Sequence, residues 1–351
     1  MEDIRDLVAF NVDDGYIEAL VRGYKSSLLT SIDYVNLTQC ETLEDVRMHL
    51  NGTEYSTVLQ DEPSPLSPSV IAEKCSAKLV LDFQYIRSQS TYPLTKFLDY
   101  LTYPYMIDNL VLLVTGTLHE RDIGELLEKC NPLGTFPAMS TLSIVSTPEE
   151  LYREILIDTP LAPYFAECVS FDDLTERNIE IIRNVLYKAY LEDFYQFCKK
   201  IGGTTEKMMC EILQFEADRR TINITLNSLG SKLSREEREN LYPSIGSLVP
   251  EGTWKLARAE DVQSVHSILE SYDLFRRLLQ SSADNPGKSL EDAFIEYEVQ
   301  LSKKTFEQQF HYGVFYGFLK LREQEIRNIL WICECISQRH RSGISNYVTI
   351  F

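Results

Sequence analysis

Pairs of adjacent acidic residues recur along the sequence and are its first candidates for acid–base chemistry. They are Glu44-Asp45, Glu149-Glu150 and Glu260-Asp261, each at the start of a predicted short amphipathic helix. Adjacent residues of a helix point about 100° apart, so none of the pairs would form a facing dyad of carboxylates. Acidic residues in a first turn interact favourably with the helix dipole. We therefore expect the pairs to cap helices, with a metal-independent hydrolase as an alternative.

The other common catalytic patterns are absent from the sequence. It contains no phosphate-binding loop, no dinucleotide-binding glycine motif and no Gly-x-Ser-x-Gly. Gly202-Gly203 lacks the lysine of a nucleotide-binding loop and indicates a helix end, with Thr204 or Thr205 capping the next helix. The five histidines are scattered, and Cys333 and Cys335 would point to different faces of a helix. We predict no catalytic residue, no cofactor and no metal.

The acidic pairs are also the clearest mark of an internal repeat. They recur at steps of 105 and 111 residues, and each predicted helix is followed by a helix-breaking segment, at 61–68, 158–163 and 281–287. Three asparagines in similar tetrapeptides, Asn109, Asn223 and Asn328, recur at steps of 114 and 105. A period of this length indicates a helical subdomain present three times.

Composition limits the classes of partner. The 351 residues include 53 acidic and 34 basic residues, for a net charge of −19, with 44% hydrophobic residues. This balance argues against nonspecific nucleic-acid binding and against a general attraction to anionic lipid. It fits a partner with a basic or neutral face, or simple solubility. The acidic first residues predict that the chain has no signal peptide, and the absence of a long apolar run predicts that it has no membrane span. Without a secretory signal, the cysteines are expected to be mostly reduced thiols.

The periodicity of the apolar residues predicts an all-α protein. Pro104 should kink or restart its helix. The segment 142–145 is the best candidate for an exception to the all-α pattern, as a short stretch of strand. The predicted helices cover 14–35, 70–90, 92–116, 120–129, 172–201, 204–229, 234–241, 289–310 and 312–340.

The third copy of the repeat is shorter than the others, and a helix near the N-terminus could complete it. Residues 16–21 resemble residues 122–127 of the first copy. If they complete the last lobe, three pseudo-threefold-related lobes close into a cup or funnel, and Cys40 approaches Cys333 and Cys335. An oxidant could then link Cys40 to one of them, although cytosolic conditions oppose this. An open superhelix is the alternative. The predicted division is an N-terminal helix at 1–35 that packs with the C-terminal lobe, lobe 1 at 36–138, lobe 2 at 139–249 and lobe 3 at 250–351.

Two kinds of charged cluster have both a structural and a functional interpretation. The mixed charges of 216–220 and 322–327 lie within apolar helices, where they could form buried pairs that fix helix register or a solvated face. Arg339, His340 and Arg341 close the last helix. Their positive charges could interact favourably with the negative end of the helix dipole. Alternatively, they could contact an acidic partner or headgroup.

Several segments together resemble one family over essentially the whole chain. The segments that carry the resemblance are 10–16, 39–46, 105–109, 159–163, 215–220, 309–316, 323–329 and 334–341. Residues 61–92 and 281–289 match less clearly. The family that they resemble comprises subunit d of vacuolar-type proton-pumping rotary ATPases and its archaeal counterparts.

The resemblance implies a non-catalytic rotor subunit. Such subunits form a cup of three helical lobes on the cytoplasmic side of the proteolipid ring and receive the foot of the central shaft. The implied role is torque transmission for proton transport and organelle acidification, with one copy per complex. The implied location is the cytoplasmic face of vacuolar, endosomal, lysosomal and other endomembranes. The alternative is a general cytosolic all-α repeat scaffold without a rotary role.

Overall fold

The computed structural model describes residues 7–119, 121–136, 139, 159–167, 176–284 and 287–351. Within these ranges the chain forms helices and irregular segments, and no strand. The all-α prediction is confirmed for them. The segment 142–145, proposed as an exception, lies outside the described residues.

The chain divides into two compact units that do not follow the order of the sequence. Among the described residues, the central unit contains those between 99 and 293, and the terminal unit contains those up to 98 and from 294 to 351. The terminal unit is therefore built from two segments that are far apart in the sequence. The division into three lobes stays a prediction.

The terminal unit is assembled around one long helix, α16 (Gly313–Ser337). This helix is buried along most of its length, from Gly313 to Ile336. Helices α2 and α6 pack against it, so elements from both segments share one core. The unit also contains α1 (Leu7–Asp13), α2 (Gly15–Ser26), α3 (Ser31–Gln39), α4 (Leu43–Leu50), α5 (Ser56–Leu59), α6 (Pro68–Gln89), the start of α7 (Leu94–Leu118) and most of α15 (Leu290–Lys304).

The central unit contains a long helical hairpin and a set of shorter helices. The hairpin is formed by α9 (Glu176–Ile201) and α10 (Gly203–Ser228), which pack along each other. Aromatic residues of α9 fill the space beside α7, where Phe194 stacks on Tyr100 at a ring distance of 4.9 Å. The other helices of this unit are the rest of α7, α8 (Ile123–Lys129), α11 (Arg235–Asn240), α12 (Glu251–Ala257), α13 (Val262–Leu269), α14 (Asp273–Asp284) and the start of α15.

Two local predictions were wrong, and of the two alternatives at Pro104 the restart is excluded while the kink stays a prediction. The helix predicted over 14–35 is two helices, because Thr30 caps α3 through a reciprocal capping box with Asp33. Helix α7 continues through Pro104 and does not restart there. Neither Thr204 nor Thr205 caps α10: the N-cap is Gly202, whose φ of 75° lies in the left-handed region that favours glycine.

Two other glycines let an irregular segment approach a long helix. A Cβ at Gly134 would collide with the Tyr105 carbonyl group of α7, and a Cβ at Gly246 would collide with the Asp218 carboxylate of α10. Both glycines follow the short helices α8 and α11. The segments after these helices therefore pack directly on the long helix that precedes each of them.

Candidate functional site

The acidic pairs are positioned for helix capping. Asp45 forms a capping box with Thr42, and Asp261 accepts a hydrogen bond from the Ser264 N–H as the N-cap of α13. The Thr42 hydroxyl lowers the pKa of Asp45, and Ser264 lowers the pKa of Asp261, so both carboxylates are held ionised. A lowered pKa suits a cap better than a general acid.

The glutamates of these pairs lie at the surface. Glu44 pairs with Arg47 at 2.6 Å and accepts a hydrogen bond from Ser64, and Glu260 pairs with Arg235 at 2.9 Å. Glu149 and Glu150 lie outside the described residues. The described residues of the acidic pairs form helix caps and surface ion pairs. Their arrangement therefore favours the capping interpretation over the interpretation as hydrolase residues.

Two of the repeated asparagines make the same contact. The Asn109 amide donates to the Asn131 carbonyl at 2.9 Å and accepts from the Asn131 N–H at 2.7 Å. The Asn328 amide donates to the Val348 carbonyl at 2.7 Å and accepts from the Val348 N–H at 3.2 Å. Each side chain thus binds both backbone groups of one residue 22 or 20 positions later. Asn223 differs, because its amide donates to Glu291 at 3.3 Å.

A buried charge cluster connects the two segments of the terminal unit. Arg322 and Glu325 of α16 are fully buried and form an ion pair of 2.7 Å. Glu325 also accepts from the Tyr55 hydroxyl at 2.7 Å and from the Leu29 N–H at 2.5 Å, and Arg322 pairs with Glu54 at 3.2 Å. For these residues, the buried-pair interpretation of the 322–327 charges is confirmed.

A second polar cluster ties α2 to the segment before α16. Glu18 pairs with Arg22 at 2.8 Å and accepts from the Phe310 N–H at 3.0 Å. Arg22 donates to the Phe306 carbonyl at 3.1 Å, and the Tyr312 hydroxyl donates to Asp14 at 2.9 Å. These contacts hold a helix near the N-terminus on the last long helix.

His311 lies inside this second cluster in its neutral form. Its Nε2 donates to the Thr305 carbonyl at 2.9 Å, and its Nδ1 accepts from the Gly313 N–H at 3.1 Å. Burial lowers the pKa of His311 below the ordinary value of 6.5. A proton added to Nδ1 would remove the acceptor of the Gly313 N–H.

We expect His311 to make the protein less stable at mildly acidic pH. Because its folded pKa is lowered, the unfolded chain binds more protons below pH 6.5, and the free energy of unfolding falls there by up to about 1.4 kcal/mol per pH unit. Urea unfolding at several pH values measures this slope. H311N should flatten it, and H340N, at an exposed position, should leave it unchanged. Equal slopes in wild type and H311N would contradict the assignment.

The basic residues at the end of α16 have different roles. Arg341 donates to the backbone carbonyls of Thr38 at 3.0 Å and Cys40 at 2.6 Å, and so holds the end of α3. His340 contacts the Ser342 hydroxyl at 3.2 Å. Arg339 is exposed and adopts a φ of 56°. Of the three, Arg339 is the best placed to contact a partner.

The described cysteines are free thiols. Cys40, Cys333 and Cys335 are all buried in the terminal unit. Burial, with a smaller effect of the neighbouring Cys40, raises the pKa of Cys333 to about 12, which keeps this thiol protonated and slow to oxidise. A disulfide between Cys40 and either of the others remains an untested prediction.

The central unit contains two carboxylates, the exposed Asp193 and the buried Asp218, that sequence patterns did not single out as a site. Asp193 accepts from the hydroxyls of Tyr100 and Tyr164, both at 2.8 Å. Asp218 accepts from the Ser247 N–H at 2.8 Å and the Leu248 N–H at 3.1 Å. A carboxylate within an aromatic or apolar run was the only sequence signal available, and it does not identify the distant donors.

The arrangement of charges differs from that of a catalytic centre. The buried carboxylates named above accept hydrogen bonds from fixed protein donors, which leaves them positioned for structure. In the described part of the chain, no group of three or more His, Cys, Asp or Glu side chains is placed to hold a metal ion. No helix in the described ranges is both long and apolar enough to cross a membrane. The geometry defines a helical protein whose polar groups fix its own fold.

Comparison with known proteins places this helical chain in a family. The chain belongs to the ATP synthase (C/AC39) subunit family, whose model matches residues 17–347. It is 57% identical to the V-type proton ATPase subunit d of Dictyostelium discoideum over 346 residues, which cover 98% of this chain and 97% of the relative. It is 46% identical to the V-type proton ATPase subunit d of Saccharomyces cerevisiae over 348 residues, covering 98% and 99%.

A more distant relative is an archaeal protein, as the resemblance implied. The C subunit of the A-type ATP synthase of Thermococcus kodakarensis is 21% identical over 322 residues, which cover 90% of this chain and 84% of the relative. Together these matches confirm the family that the sequence motifs indicated.

Proposed function

We propose that this chain is a non-catalytic rotor subunit of a V-type proton pump, which joins the shaft of the ATP-hydrolysing sector to the proteolipid ring. The observation that carries the proposal is its 57% identity to a V-type proton ATPase subunit d across nearly the full length of both chains. Its role is to transmit torque for proton transport, and it has no active site of its own.

The buried polar contacts of the terminal unit support this role. A part that transmits torque must resist shear, and many distributed contacts serve this better than one strong contact. The clusters around Glu325, Glu18 and Asn328 each connect residues of the first segment with residues of the last. Directional bonds between buried groups keep these elements in one register.

The finer features of the proposal come from the same family relationship. The partners are the proteolipid ring and the central shaft, with one copy of this chain per complex, on the cytoplasmic face of vacuolar and other endomembranes. The three-lobed cup is part of the proposal. The matching backbone contacts of Asn109 and Asn328 support a repeated structural unit.

Reconstitution tests the proposal directly. Pumps that lack their own copy of this subunit, prepared in vesicles, should regain ATP-driven proton uptake when the purified chain is added. Acidification is measured with a pH-sensitive dye, and binding is measured by co-sedimentation with the vesicles. The chain alone should hydrolyse no ATP. Recovery of neither proton uptake nor binding would contradict the rotor role and favour a general scaffold.

A charge reversal in the same assay examines the basic end of α16. R339E should reduce co-sedimentation several-fold at low salt if this side chain contacts an acidic partner surface, because rim charges mainly affect association. R235E reverses another exposed arginine, on α11, and should bind as the wild type does. Equal binding of both variants would exclude Arg339 as a docking residue without affecting the rotor proposal.

A further inference from the structure

We propose that a groove between α3 and α4 of the terminal unit binds a basic amphipathic helix of a partner protein. The groove has a volume of about 440 Å³, and its lining includes Asn36 and Gln39 of α3 and Met48 of α4. Helix α3 has 9 residues and is about 14 Å long, which matches a bound segment of about two to three turns. This inference goes beyond the rotor role and does not rest on it.

Helix α3 has apolar side chains on two opposite faces. Tyr34 and Leu37 are buried, and they hold the helix on the terminal unit. On the other face, Ile32 is 72% exposed and Val35 is 49% exposed. Together with the two amides of the groove, they form the i, i+3, i+4, i+7 pattern of one helix face. The fold leaves this apolar face in solvent, and adjoining exposed apolar residues are typical of interaction sites.

Helix α4 has the same division on the other side of the groove. Val46 and Leu50 are buried, whereas Met48 is 69% exposed and lines the groove. Methionine side chains are flexible and polarizable, which suits surfaces that bind amphipathic helices. Apolar side chains of both helices therefore flank the groove, as in proteins that receive the apolar face of a helix.

The charges that line the groove are negative. Glu41 and Asp45 contribute carboxylates, and no lysine or arginine is among the described residues that line it. Asp45 belongs to the capping box of α4, whereas Glu41 is exposed. The other titratable side chains of the lining are the buried Cys40 and His49. Carboxylates beside apolar side chains favour a helix that carries lysine or arginine along the edge of its apolar face.

The cations around the groove do not balance this acidity. Residues 31–50, which comprise both helices and their connection, contain four acidic residues and one arginine. This arginine, Arg47, pairs with Glu44 at 2.6 Å, and Arg341 contacts two carbonyl groups of the same segment. Four carboxylates against these two arginines leave an excess of two negative charges, and an excess of one remains if Arg339 is counted as well. A second copy of the chain, whose net charge is −19, would be repelled.

Fluorescence anisotropy with the purified full chain and a labelled peptide tests this inference. The probe is a peptide of about 14 residues with leucine at the i, i+3, i+4, i+7 positions and lysine elsewhere, and a second peptide has glutamate in place of lysine. At about 0.15 M salt, we expect the lysine peptide to bind at least tenfold more tightly than the glutamate peptide. M48S should weaken its binding at least tenfold through loss of apolar contact, and E41Q should weaken it severalfold through loss of charge.

Two matched variants separate the groove from the general acidity of the chain. L81S changes another exposed apolar residue, on α6, and E260Q changes another exposed glutamate, before α13. Both should bind the lysine peptide as the wild type does, and circular dichroism establishes that all variants are folded. The inference is wrong if the lysine peptide does not bind. Equal binding by wild type and M48S would also refute it, because the attraction would then be nonspecific.

Two further measurements distinguish other occupants of the groove. Sedimentation analysis detects self-association, and a dimer that M48S dissociates would show that a second copy covers this face. Co-sedimentation with phosphatidylcholine vesicles detects membrane binding, and its loss in M48S would assign the face to a lipid surface. Either result would overturn the proposal, whereas a monomer that leaves the vesicles in solution supports it.

Discussion

R322M is expected to lower the free energy of unfolding by about 3–5 kcal/mol, because Glu325 would then be a buried carboxylate without its cation. Arg322 and Glu325 are both fully buried in the side-chain cluster that includes Tyr55 and Glu54. Removing one partner leaves the charge of the other in a medium of low polarity. Urea unfolding followed by circular dichroism measures the loss.

Two further variants separate the ion pair from general effects on α16. R327M removes an exposed arginine from the same helix and should change stability by no more than about 0.5 kcal/mol. The double variant R322M/E325L replaces both charges with apolar side chains and should recover much of the loss, since buried pairs can often be exchanged for packing. A small effect of R322M, or a double variant less stable than R322M, would refute this account.

N328A is expected to cost about 3 kcal/mol through loss of its contacts with Val348. The alanine side chain would leave the Val348 N–H and carbonyl without their partners, and an unpaired group that is buried costs about 1–3 kcal/mol. The Asn328 amide also donates to the Tyr34 hydroxyl at 3.2 Å, and Tyr34 stacks on Tyr347. Loss of the amide should therefore loosen the segment after residue 343.

Hydrogen exchange locates this effect. The Val348 amide should exchange faster in N328A by a factor greater than that expected from global destabilisation. N346A changes an exposed asparagine of the same segment and should leave both stability and exchange nearly unchanged. Slow exchange of Val348 in N328A would mean that other contacts hold the segment.

Helical periodicity was sufficient to predict the long helices, because each buries an apolar stripe that repeats every three or four residues. The ends of helices were predicted less well where a single residue sets the end, either through a side-chain cap or through its backbone conformation. Thr30 and Asp33 form a capping box that interrupts the predicted helix over 14–35. At Gly202, a left-handed backbone begins α10 without any side-chain cap.

The candidate site was predicted unevenly for a related reason. Repetition of Asn109 and Asn328 in the sequence singled out residues that make equivalent backbone contacts. The partners of buried charges were not accessible in this way, because Tyr55 and Glu325 are separated by 270 positions. Nothing in the local pattern around Tyr55 indicates that its hydroxyl donates to a carboxylate so far along the chain. Family resemblance supplied the function, which spacing alone left open.

The composition of the terminal unit from two remote segments has a consequence for biosynthesis. At about 5–20 residues per second, a ribosome needs roughly 15–50 s to add the 270 residues between Tyr55 and Glu325. During that interval the nascent first segment exposes the apolar surfaces that α16 later covers. The first segment therefore stays open to aggregation or to chaperone binding until synthesis of α16 is complete.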